Sequence, residues 1–152
     1  MARNHVVATL ALGLALGLCG NAAQAATEQY YGRWTVSDEE PAYSSKGIRY
    51  KTIDVAPCGE DFCGISVGED NSCGEVLFRF LTTHAADELL VGHGRWGNAK
   101  KKLEMYYGDD SEAPYMFVAL GSDDMDLSGR EGSIPTFQAS YERQGEVACT
   151  TD

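Results

Sequence analysis

Apolar residues recur at every second position of this chain, in short runs broken by glycine and aspartate, and few folds accept that rhythm. Gly32, Trp34 and Val36 alternate with Arg33 and Thr35, and Ile53 and Val55 with Thr52 and Asp54. Leu103, Met105 and Tyr107 alternate with Lys102, Glu104 and Tyr106. A period of two sends one set of side chains to one face of a strand and the other set to the opposite face. Phe62 to Val67, Glu75 to Leu81, Glu88 to Trp96, Tyr115 to Leu120, Met125 to Ser128 and Thr136 to Arg143 continue the series. Turn residues separate the runs at Gly97-Asn98, Gly108-Asp109-Asp110, Ser122-Asp123-Asp124 and Gly129 to Gly132. A helical apolar period is nowhere sustained; short helical turns are expected at Thr83 to Glu88 and within Pro41 to Lys46.

The chain is therefore read as all-β. About eight strands joined mainly by short turns predict one small antiparallel up-and-down β-barrel, whose closure removes exposed strand edges. Val76, Phe78 and Phe80 are expected on one inward face, with Trp34, Phe117, Phe137 and Tyr141 also in the core. Tyr106 shares its face with Lys102 and Glu104 and is expected outward.

The first residues set the compartment. Arg3 precedes an apolar run from Val6 to Gly20, and Ala23-Gln24-Ala25 offers small residues to a signal peptidase. Residues 1–25 read as a secretory signal peptide and 26–152 as one β-barrel domain, periplasmic or secreted, with no stable membrane anchor. A mature chain of about 127 residues is enough for one domain that buries roughly two-thirds of its unfolded surface. Its net charge, −11 for the whole sequence, repels nucleic acid and would steer the molecule toward cationic partners. Nothing in the pattern fixes an oligomeric state.

Cys19 leaves with the leader, so Cys58, Cys63, Cys73 and Cys149 remain, an even number in an oxidising compartment. Four cysteines allow three pairings. Cys58 and Cys63 flank a four-residue turn between two strand-like runs, which favours their pairing across a hairpin. Cys73 and Cys149 then tie the C-terminal tail to the body. The spacing matches no zinc knuckle, and no metal or cofactor is expected.

Gly32-Arg33-Trp34 on the first strand resembles the Gly-x-Trp start of the calycin superfamily, which includes lipocalins and avidins. The stretch from Ile53 to Gly64 is more similar to a family of small exported bacterial proteins known as a domain of unknown function. That family has a similar Trp strand, a Cys-Gly-x-x-Phe-Cys hairpin and a last strand ending in Arg, here Arg143. The resemblance covers about half the mature chain loosely and the hairpin closely. It implies a calycin-like barrel with no established activity. Cys73 and Cys149 depart from the pattern, and no lipocalin pocket residue carries over.

No motif assigns catalytic roles. Gly92-His93-Gly94-Arg95-Trp96-Gly97 has dinucleotide-fingerprint spacing, but Lys100-Lys101-Lys102 and alternating Leu103 and Met105 occupy the place where a helix should be. His84 and His93 lack a neighbouring nucleophile in the sequence pattern; His93 is read as a satisfied strand residue. Asp109, Asp110 and Glu112, and Asp123, Asp124 and Asp126, lack the spacing of a calcium loop. The expectation is a non-enzymatic binding barrel holding a small apolar or amphipathic ligand at its mouth, with ligand-binding residues unassigned. The alternative is an acidic inhibitor or interaction module for a cationic hydrolase, docking through loops Ser37 to Gly47 and Gly108 to Ala113.

Overall fold

The computed structural model describes residues 27–37, 45–81, 89–110, 113–125 and 133–151. The leader, His84, the Thr83 to Glu88 turn, most of Pro41 to Lys46, Glu112 and Asp126 to Ser128 lie outside them. Eight strands run in order: β1 Gly32–Val36, β2 Thr52–Cys58, β3 Asp61–Val67, β4 Cys73–Leu81, β5 Leu89–Trp96, β6 Ala99–Asp110, β7 Ala113–Gly121 and β8 Phe137–Gly145. A 3-10 turn, Gly47–Tyr50, precedes β2. Each strand pairs antiparallel with the next, and β8 returns to β1. The sheet thus closes into the up-and-down barrel that the period-two pattern demands.

Inward residues form one core. Trp34, Ile53, Val55, Phe62, Leu90, Leu103, Met105, Met116, Val118 and Tyr141 are fully buried there. At the end marked by the β2–β3 hairpin, Tyr30 stacks on Phe62 at 5.7 Å and Phe62 on Phe80 at 5.3 Å. Arg143 lies 6.0 Å above the Trp34 ring, and its Nη2 donates to the Tyr31 carbonyl at 2.7 Å. The last strand runs on past Arg143 to Gly145. At the opposite end the 3-10 turn inserts Tyr50 beside Trp96 and Phe137. Aromatic rings therefore occupy both described ends of the cylinder.

Both expected disulfides form, Cys58–Cys63 across the β2–β3 hairpin and Cys73–Cys149 over 76 residues. The second creates a feature that simple alternation hides. The tail after β8 covers the outer face of β2 and β3, where Cys149 packs with Ile65, Val67 and Val76. Asp54, expected on a wet face, is buried beneath it. Its carboxylate accepts two hydrogen bonds from Arg33, at 2.8 and 2.9 Å, and others from the amides of Ala148 and Cys149.

Three further expectations are corrected. Gly64 pairs with Phe78 but Ile65 with Val76, so Leu77 is an extra residue in β4. This bulge turns Val76 to the outer cluster and Leu77 inward, breaking the expected common face of Val76, Phe78 and Phe80. Phe117 lies outside the barrel, stacked on Tyr106 at 5.3 Å, because its neighbours Met116 and Val118 take the inward positions. Glu104 is buried despite its outward parity, with Lys102 Nζ at 2.6 Å from Oε1. That ammonium also reaches the Met125 carbonyl, so the segment after β7 folds over this face.

Candidate functional site

The barrel wall is uneven. Eight residue pairs join β5 to β6 and nine join β6 to β7. Among the described residues β4 and β5 meet at two, Phe78 with Gly94 and Arg79 with His93. The bulge at Leu77 explains part of the difference, since an extra residue throws β4 out of step with a straight neighbour. Where the strands part, toward the 3-10 end, the wall holds a slot of about 330 Å³.

Residues from both strands and the β5–β6 turn line this slot. Val76, Leu77, Phe78, Gly94 and Ala99 give it apolar walls, and Arg79, His93, Arg95, Asn98 and Lys100 stand around them. The side chains of Arg79, His93 and Arg95 are half exposed or more, so their charged or polar tips lie in solvent at the rim. Arg79 faces Asp61 at 3.5 Å, and Arg95 faces Glu75 at 3.5 Å. Glu75 also pairs with Arg49. His93 lies within β5 on the exposed face of Val91 and Arg95, as its parity predicts, with Nε2 4.0 Å from Asp123 at the rim.

Tyr50 closes the slot from within. Its hydroxyl donates to the Arg95 carbonyl at 2.7 Å and lies 3.4 Å from that of Leu77. One buried side chain thus spans β4 and β5 where their backbone ladder has stopped. Burial pushes the Tyr50 phenol well above its ordinary range, against the lowering effect of its bond to Arg95. It stays a neutral donor. Gly94 leaves room for it: a Cβ there would meet Leu103 at 2.8 Å and the Tyr50 hydroxyl at 3.0 Å.

The Gly92 to Gly97 motif therefore serves packing. Gly92 lies under the Phe80 ring, Gly94 admits Tyr50, and Gly97 has φ +63° in the β5–β6 turn. None of the slot residues is serine, cysteine, aspartate or glutamate, so the lining offers neither a hydroxyl or thiol nucleophile nor a carboxyl acid–base group. Among the described residues no three histidine, cysteine or carboxylate side chains converge on a metal position. Cys58, Cys63, Cys73 and Cys149 are all spent in structural bonds.

Other concavities lie elsewhere on the wall and rim. A groove of about 680 Å³ runs over β1–β3 past Arg33, Lys51, Ser66 and Gln144. A smaller hollow sits among Leu89, Tyr106, Tyr107 and Tyr115. Alternation places Tyr106 correctly on the outside, but it misses the slot because strand pairing gaps leave no mark on a period of two. Comparison of the chain with protein-family models, curated proteins and solved structures found no match.

Proposed function

We propose that this is a non-enzymatic exported binding barrel, calycin-like in type, that holds a small amphipathic ligand in the slot between β4 and β5. The carrying observation is the slot itself: apolar walls of ligand size in the seam that, among the described residues, has the fewest strand pairs, beside a packed core. The Gly32-Arg33-Trp34 start and the closed eight-stranded wall support the calycin-like reading. The leader-like first residues and two disulfides support export. Aromatic packing at both described ends favours a binding place in the wall over one at the mouth.

Native mass spectrometry of protein isolated from its own envelope fraction tests this reading. A co-purifying molecule of low mass is expected, lost when Ala99→Trp, at an exposed position of the lining, fills the slot. Protein that carries no such molecule, and that instead captures a cationic hydrolase in a salt-sensitive complex, would replace it with the inhibitor reading.

A further inference from the structure

We infer that the ligand of the β4–β5 slot is an anionic amphiphile: one apolar chain that lies along the walls and one negatively charged head at the rim. The inference rests on the binding reading above and goes beyond it by assigning the head group. Its basis is a local reversal of charge. The protein carries 23 acidic against 12 basic residues, yet the ten residues lining the slot include Arg79, Arg95, Lys100 and His93 and no carboxylate.

Their placement is ordered by polarity. Val76, Leu77, Phe78 and Ala99 provide the walls, while Arg79, His93 and Arg95 are at least half exposed at the rim. Long basic side chains can lay their stems on apolar surface and keep their charges in water. A molecule with an apolar body and a negative end meets both parts at once. A neutral one gains the walls alone, and a cationic one meets the rim in repulsion.

Nearby acids limit the size of the effect. Asp61 stands by Arg79, Asp123 by His93, and Glu75 is shared between Arg95 and Arg49. Among the described residues Lys100 has no ion-pair partner, which leaves it the cation best able to meet a head group. Screening confines the rest of the negative surface to about 8 Å at physiological ionic strength, so the rim governs the slot. For solvent-exposed charges the preference should be about five-fold, the factor that corresponds to about 1 kcal/mol.

The test is an amide chemical-shift titration of the mature, oxidised protein with octanoate, octanol and octyltrimethylammonium, each kept monomeric. The expected outcome is perturbation of residues 76–79 and 93–100, with octanoate bound about five-fold more tightly than octanol and the cation weakest. High salt should erase the advantage of octanoate. The double variant Arg95→Gln/Lys100→Gln should erase it too, while octanol still binds. If octanol equals octanoate, or the cation binds best, the head-group assignment is overturned and the binding reading stands. If none of the three perturbs the slot, the binding reading fails and the assignment falls with it.

Discussion

Two buried polar side chains hold parts of this barrel that the sheet alone does not. Asp54 accepts hydrogen bonds from Arg33 and from the amides of Ala148 and Cys149, which pins the tail to the wall. Burial pushes its pKa up; the Arg33 hydrogen bonds, the two amides and the Arg33 charge together outweigh this and leave it below 3.8. A carboxylate depressed in the folded state stabilises above its unfolded pKa and loses that contribution as pH falls through the folded one. Asp54→Ala should therefore cost on the order of 3 kcal/mol at neutral pH by urea unfolding. Its deficit relative to the parent should shrink below pH 3.8. A deficit independent of pH would contradict that role. Tyr50→Phe removes the hydroxyl between Arg95 and Leu77, and should cost about 1 kcal/mol while speeding amide exchange in β4 and β5. Unchanged exchange there would show that the hydroxyl does not brace the seam.

At the scale of the strands, most of the design is legible in the sequence. Alternation locates the strands because an inward residue must be apolar and its neighbour meets water. It fails where that premise fails. Asp54 and Glu104 are outward yet buried, since the tail and the segment after β7 cover them, and a covering segment leaves no signal in the covered strand. Val76 and Leu77 defeat alternation because one inserted residue inverts the parity across it, and β4 is apolar on both sides of the insertion. Hydrophobicity alone puts Phe117 inside, although its parity with Tyr115 sets it outward. The slot is hidden for a related reason: it depends on how many pairs two strands make. Hydrogen exchange should find β4–β5 the first ladder to open, ahead of β6–β7. Glycine in strands has its own legible cost. A Cβ on Gly64 would stand 2.1 Å from the Phe78 ring, so Gly64→Ala should destabilise by about 1–3 kcal/mol in thermal unfolding.

For the molecule as a whole, the two crosslinks should contribute unequally. A loop closed over 76 residues removes more unfolded-chain entropy than one closed over 5. Chain-entropy reasoning gives about 4 kcal/mol for Cys73–Cys149 and about 2 kcal/mol for Cys58–Cys63. Paired alanine variants measured by denaturant unfolding should keep that order. The net charge of −11 adds self-repulsion, so moderate salt should raise stability. On the proposed reading, the aromatic rings at both described ends and the poorly laddered β4–β5 seam make the wall, and not the lumen, the place of contact. Intermolecular nuclear Overhauser effects from bound octanoate test that most directly. Contacts from its methylene protons to the outward lining residues Val76, Arg95, Ala99 and Lys100 are predicted; contacts to Met105, Met116 and Val118 in the interior would contradict it.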